Sequence, residues 1–254
     1  MTVLEKIIRE KSAEIPNRLP KGEIKKTGKD VFAILKKTSN HKPRLIAELK
    51  RKSPSKGSLN PEMTVANAIK MYEPYASALS ILTEKNYFGG SLEDLAEASH
   101  LTSLPLLRKD FLTQPIQVAE ARYYGADFYL LIVAALEKNQ LREMIEAGVE
   151  YNMTALVEVH TRDELETALE LNVKLLGINN RNLNDLSIDL NTTNYLVKMI
   201  PGQMQEKMVL VCESGLKTLQ DLQKVETLTD AVLMGTAFME SAEPEKTLKS
   251  LFGS

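Results

Sequence analysis

From residue 45 onward the chain alternates between two kinds of pattern. Apolar runs with little internal alternation stand at 45–49, 78–82, 104–107, 127–132, 153–158, 174–178, 207–211 and 230–234. Such runs are expected of parallel strands covered on both faces. Between them lie stretches whose apolar residues recur at helical spacing, at 61–75, 91–100, 114–124, 137–151, 161–171, 191–199, 217–225 and 243–252. In the first of these, Val65, Ala68, Ile69 and Tyr72 share one face. The helical stretches open on suitable caps and first-turn residues, among them Asn60-Pro61, Ser91 with Asp94, and Thr161 with Glu164. Eight strands, each followed by a helix and starting 21 to 33 residues apart, predict an α/β fold of the (β/α)8 TIM barrel type. An open, doubly wound sheet is the alternative, though it more usually stops near about six strands.

Residues 1–42 precede the first strand and read as an N-terminal helical extension of a single domain spanning 1–254. Residues 2–15 are expected to be helical, because Thr2 and Glu5 have capping-box spacing and Val3, Leu4, Ile7 and Ile8 recur on one face, with Pro16 ending the helix. A second, short helix is expected from Asp30 as N-cap through Val31, Phe32, Ile34 and Leu35. The extension either covers one end of the barrel or closes over a ligand.

Composition removes several function classes. A hydrophobic fraction of 43% and a charged fraction of 26% are those of an ordinary soluble globular protein. A formal net charge of -2 argues against a nucleic-acid partner bound through bulk positive charge. No apolar run reaches the roughly 18 residues of a membrane span, and the start MTVLEKIIREK lacks a signal-peptide core. Cys212 is the sole cysteine, so no intrachain disulfide can form. A cytoplasmic monomer acting on a small molecule, with neither nucleic-acid nor membrane partner, is the expectation.

In barrels of this kind the chemistry lies where the strands end. The first strand runs into Glu48 and Lys50, the second into Thr83-Glu84, and the third through Arg108 to Lys109-Asp110. The fifth ends in Glu158, the sixth in Asn179, Asn180 and Arg181, the seventh in Glu213-Ser214-Gly215, and the eighth in Gly235-Thr236. Taken singly, Lys109 could be a surface lysine, Glu158 a helix cap and Asn179 a turn residue. Converging on one mouth, Glu48, Glu158, Glu213, Lys50, Lys109 and Asn179 suit general acid/base chemistry. The glycines of the last two loops, with the Ser53 hydroxyl after the first strand, suit a phosphate. Phe88, Phe111, Leu130 and Ile132 stand near strand ends and serve either core packing or an apolar pocket for an aromatic ligand. His41, His100 and His160 lack metal-ligand spacing, and no GxGxxG or GxxxxGK[ST] loop is present, so neither a metal nor a nucleotide cofactor is expected.

The segments IAELKRKSPSKG, ILTEKNYFGG, LLRKDF, LVEVH, GINNRNL, ESG and LMGTAFM, in this order over residues 43–240, resemble the indole-3-glycerol phosphate synthase family. The resemblance implies a cofactor-free lyase of tryptophan biosynthesis. Its substrate would be 1-(2-carboxyphenylamino)-1-deoxyribulose 5-phosphate, cyclised with loss of carbon dioxide and water. By motif position it implies Lys109 as general acid, Glu158 as general base, Glu48 as an assisting carboxylate, and Lys50 at the carboxylate that is lost. Asn179 and Glu213 would orient groups around the substrate hydroxyls, with Arg181 and Ser214 completing the shell. The phosphate would take Ser53, Gly215, Gly235 and Thr236, and the anthranilate ring Phe88, Phe111 and Leu130. Thr236 stands where the family often has serine, which keeps the hydroxyl. Two other readings remain: a Schiff-base lyase using Lys50 or Lys109, which borohydride would trap, and a barrel that binds a phosphorylated ligand without turnover.

Overall fold

The eight apolar runs form parallel strands that close into a barrel in the computed structural model, which describes residues 2–13, 15, 19, 22, 24, 28–38, 42–183 and 185–253. The strands are β1 (Arg44–Leu49), β2 (Ala78–Leu82), β3 (Leu106–Lys109), β4 (Phe128–Ile132), β5 (Thr154–Val159), β6 (Leu175–Asn179), β7 (Val209–Glu213) and β8 (Ala231–Met234). They neighbour one another in chain order, and β1 pairs with both β2 (Ile46 opposite Ala78) and β8 (Arg44 opposite Ala231).

The apparent lack of alternation in the runs resolves into two apolar faces. Leu45, Ala47 and Leu49 pack outward with Val65, Ile69 and Tyr72 of the surrounding helices. Ile46 packs inward with Leu107, Phe128, Leu130, Leu156, Leu175 and Val211. Because side chains alternate along a strand, the inward set continues at the C-terminal ends as Glu48, Lys109, Glu158, Asn179 and Glu213. Apolar layers fill the barrel below, and the same parity delivers charge to its mouth.

Among the described residues, two helices precede the barrel, α1 (Val3–Ser12) and α2 (Val31–Leu35). The Thr2–Glu5 capping box forms, with the Glu5 N–H donating to Thr2 Oγ1 at 3.1 Å and the Thr2 N–H to Glu5 Oε2 at 2.7 Å. Asp30 caps α2 by accepting the Ala33 N–H at 3.0 Å. Ion pairs from Lys29 to Asp127 (3.1 Å) and Lys36 to Asp230 (3.2 Å) fix α2 at the feet of β4 and β8, where Val31 and Leu35 plug the interior. Leu4 of α1 joins the interior cluster as well, and α1 lies at the other end. Its expected stop, Pro16, is outside the described residues.

The remaining helices are α3 (Val65–Tyr72), α4 (Leu92–Leu101), α5 (Pro115–Tyr123), α6 (Lys138–Glu150), α7 (Arg162–Glu170), α8 (Asn191–Val197), α9 (Gly202–Gln205), α10 (Leu219–Val225), α11 (Thr236–Met239) and α12 (Pro244–Phe252). Several boundaries differ from the sequence expectation. Helix α3 starts at Val65 and not at Pro61, because the Thr64 hydroxyl accepts the Asn67 N–H at 3.2 Å, a cap that Asn60 does not provide. The third strand begins at Leu106: Pro105 has no N–H, and that of Leu106 goes to the Asp127 carboxylate. The seventh strand runs over 209–213 instead of 207–211, which makes Glu213 its last inward residue. The loop after β1, expected to be irregular, holds a small antiparallel hairpin pairing Lys52 with Ser58 and Ser53 with Gly57. Gly57, where the chain leaves the turn at 54–56, has φ +70°, a conformation glycine adopts without strain.

Candidate active site

The expected residues gather in one pocket at the C-terminal mouth, lined by Glu48, Lys50, Ser53, Lys109, Glu158, Asn179, Arg181, Glu213, Ser214, Gly215, Gly235 and Thr236, with Phe88, Phe111 and Leu130 in the apolar part. Lys109 Nζ is 2.8 Å from Glu213 Oε2 and 3.2 Å from Glu158 Oε2. Asn179 Nδ2 donates to Glu158 Oε1 at 3.0 Å, and its Oδ1 accepts the Arg181 N–H at 3.0 Å. Lys50 lies one residue beyond β1 and folds back, placing Nζ 2.5 Å from Glu48 Oε1. The Phe88 and Phe111 rings stand 6.1 Å apart at 36°.

One ammonium shared by two buried carboxylates sets the proton inventory. Burial disfavours the charge on Lys109, but Glu213, Glu158 and Glu48 outweigh it and hold the ammonium well above the ordinary lysine range. Burial would raise Glu158, yet Lys109, then His160 and Asn179, hold it far below the usual carboxylate range. Glu213 goes the other way. Burial lifts it to about 7 with help from Glu158 and against the pull of Lys109, and its second oxygen is buried without a hydrogen-bond partner. Two carboxylates with the same cation thus have opposite proton affinities, the pattern of an acid/base pair.

Backbone geometry shapes both ends of the cluster. Gly177 of β6 faces Glu213, and a Cβ there would sit 2.2 Å from Glu213 Oε1. Ser214 and Gly215 both have positive φ, 65° and 88°. Asn180 secures this bend by donating to the carbonyls of Glu213 and Ser214, each at 3.0 Å. Gly235 packs directly against Glu48, where a Cβ would meet Glu48 Cβ at 2.8 Å, and it leads into α11.

Other polar strand ends are structural. Glu84 is buried and accepts the backbone N–H groups of Asn86, Tyr87 and Phe88, so it shapes the loop that carries Phe88. Asp110 receives Thr83, Arg108 and Lys11, the last joining α1 to the end of β3. Arg51 forms a two-pronged pair with Asp94 at 2.8 and 3.0 Å and anchors the base of the hairpin loop.

Several residues of the pocket were not singled out from sequence. Val3, Leu4 and Ile7 of α1 line it, as do Leu183, Leu186 and Ile188 of the loop after β6. The helical spacing of α1 signals an apolar face but not the surface that face meets. His160, which lacks metal-ligand spacing, contacts Glu158, and its place two residues beyond that glutamate is the sequence signal for this contact.

Solved structures share this barrel at low identity. The 3-hexulose-6-phosphate synthase of Salmonella typhimurium superposes with a TM-score of 0.63 at 13% identity, covering 82% of this chain and 96% of that one. The 3-keto-L-gulonate-6-phosphate decarboxylase of Vibrio cholerae gives 0.61 at 14%, covering 83% and 96%. At such identities the likeness is one of fold. Sequence relatives are far nearer. The indole-3-glycerol phosphate synthases of Dehalococcoides mccartyi (39% identical, 98% of this chain and 99% of the relative) and Acinetobacter baylyi (40%, covering 99% and 96%) align end to end. That of Polaromonas naphthalenivorans is 40% identical, covering 99% and 98%. The model of the family described as indole-3-glycerol phosphate synthase matches residues 4–251. With a carboxylate, lysine and amide cluster at the mouth of a barrel matched over nearly its whole length, this chain belongs to the indole-3-glycerol phosphate synthase family.

Proposed function

We propose that the mouth cluster carries out the family's reaction with Lys109 as acid and Glu158 as base, the ring closure taking place between them. In that reaction the ring carbon bearing the carboxylate attacks the ketone carbon of 1-(2-carboxyphenylamino)-1-deoxyribulose 5-phosphate. Lys109 gives a proton to the ketone oxygen as the bond forms. The ring nitrogen supports the resulting cation, and carbon dioxide leaves with its bonding electrons drawn into the ring. The new hydroxyl departs as water with a proton from Lys50, while a proton is lost to Glu158, assisted by Glu48, and the indole becomes aromatic. No electron acceptor beyond the substrate is needed.

The observation that carries this reading is the single ammonium of Lys109 between Glu158 and Glu213. Its consequence is coupling. When Lys109 releases its proton, the cation that holds Glu158 down is gone, and Glu158 becomes a better base at the step that needs one. Glu213, poised near about 7, is suited to return a proton to Lys109 between turnovers. The same ammonium speaks against the Schiff-base alternative at Lys109, which requires a neutral amine.

The anionic ends of the substrate fit the remaining lining. Lys50 and Arg181 serve its carboxylate, and Asn179 and Ser214 its hydroxyls. The phosphate lies among Ser53, Gly215, Gly235 and Thr236, where the loops after β7 and β8 meet the first turn of α11. Phe88, Phe111 and Leu130 receive the anthranilate ring. The same proposal includes a cytoplasmic monomer of one domain over 1–254, with 1–42 as its extension. The exposed large apolar residues among those described, such as Leu101, Val149 and Tyr195, stand on different elements, which supports it.

The test is indole fluorescence on adding the substrate, against a protein that contains no tryptophan. Product is expected without any added cofactor. Absence of product, together with a borohydride-trapped adduct at Lys109, would overturn the assignment.

A further inference from the structure

His160 stands two residues beyond Glu158, just past the end of β5, and is enclosed by carboxylates. Glu164 Oε2 accepts both the His160 backbone N–H (2.8 Å) and Nδ1 (3.0 Å). Glu164 itself is fixed at the start of α7, where its N–H donates to the Thr161 cap at 3.3 Å. On the opposite side of the ring, Nε2 lies 3.2 Å from Glu158 Oε1, the oxygen that also receives Asn179. That contact is within ion-pair range but off the line of a hydrogen bond. The ring is 8% exposed.

We propose that His160 is a positioning residue for Glu158: wedged between Glu164 and Glu158, it ties the fixed start of α7 to the reacting cluster and keeps the Glu158 carboxylate turned toward Lys109. The proposal rests on Glu158 taking part in the reaction. The chemistry follows from the ring. A neutral imidazole has one donor nitrogen and one acceptor, so with a carboxylate on each side one lone pair would face an anion. The imidazolium offers a donor to both. Burial alone would pull His160 down, but Glu158 and Glu164 push it up to about 10, so it is a cation at neutral pH. Among the described residues these two are the charged groups that face it, with Lys109 and Asn179 on the far side of Glu158. Glu158 therefore accepts hydrogen bonds from Lys109 on one oxygen and Asn179 on the other, and the His160 ring packs 3.2 Å from that second oxygen as an ion-pair neighbour. A carboxylate so held cannot rotate away from the acid it must work beside.

The experiment compares His160→Leu, His160→Gln, Glu164→Gln and Glu158→Gln in the full chain, by kcat, KM and the acidic limb of kcat against pH. For His160→Leu, kcat is expected to fall about ten- to a hundred-fold with KM little changed. The acidic limb should move up by about one pH unit, because Glu158 loses a neighbouring cation. His160→Gln restores one donor and should recover part of kcat while leaving the limb shifted. Glu164→Gln should act in the same direction, more weakly. The imidazole nitrogens read by NMR give a measurement independent of refolding the variants: both nitrogens of His160 are expected to carry protons at pH 8. Wild-type kcat and an unmoved limb in His160→Leu, while Glu158→Gln is inactive, would overturn the proposal alone. A neutral His160 at pH 8 would also overturn it. Full activity in Glu158→Gln would instead overturn the base assignment on which it rests.

Discussion

Replacing Glu213 by glutamine should make the protein more stable and less active, and the gain should depend on pH. The glutamate is buried, and that burial pushes its carboxyl up to about 7 in the folded state from the ordinary value of 4.5. Between those values the folded protein binds a proton that the unfolded chain does not, so stability falls as pH rises from 4.5 through 7. Integrated over that window the ionised form costs on the order of 3 kcal/mol at pH 8. Glutamine copies the protonated carboxyl and removes this cost. Relative to the wild type, Glu213→Gln should gain up to about 3 kcal/mol at pH 8 but no more than about 1 kcal/mol at pH 5. Glu158 has the opposite sign. Its depressed value contributes stability above the ordinary carboxylate range that is lost as pH falls through the folded value, and it does so in both proteins, so it largely cancels in the difference. Urea unfolding at the two pH values measures the effect, with equal slopes required before midpoints are compared. The indole assay should show a lowered kcat, since the proposed proton return from Glu213 to Lys109 is then removed. A variant no more stable than wild type at pH 8, or equally stabilised at both pH values, would refute the reasoning.

Lys109→Ala should reduce kcat by about a hundred- to ten-thousand-fold. It should also destabilise at pH 8 by about 3 to 5 kcal/mol, because two buried carboxylates lose their shared cation, with recovery on acidification; kinetics and unfolding across pH check both, and near-wild-type turnover would remove Lys109 from its role. Gly177→Ala would bring a methyl within 2.2 Å of Glu213 Oε1, so kcat should drop with the barrel intact by circular dichroism, and unchanged kcat would show that the carboxylate has room to move. The hairpin after β1 is pinned at its base by Arg51 and Asp94, while its tip pairs through Lys56 with Glu240, at the end of the short helix that follows the neighbouring strand β8. If this hairpin closes over the bound substrate, its amides should exchange more slowly when a substrate or product analogue binds, and equal protection with and without the analogue would refute that closure.

Much of this protein is legible in its residues because the governing interactions are local or periodic. The caps at Thr2, Asp30, Ser91 and Thr161 all form where the spacing indicated, since a cap is decided within one turn of chain. The eight-fold alternation predicts the barrel, and the motifs mark Lys109, Glu158 and Glu213 without coordinates. What tertiary structure alone decided is which polar strand end does what. Glu84 and Glu158 look alike in sequence, each a glutamate closing a buried strand. One caps three backbone N–H groups, and the other meets a lysine 49 positions earlier in the chain. Ring closure of the barrel creates that meeting, because it brings the ends of β3, β5 and β7 to a common centre. The split between Glu158 and Glu213 arises there too, from burial and from sharing one cation, neither of which has a sequence signature. The same holds for His160 and for the apolar face of α1. Periodicity reveals that α1 has such a face, but only packing across the mouth decides that Leu4 and Ile7 end up lining the pocket.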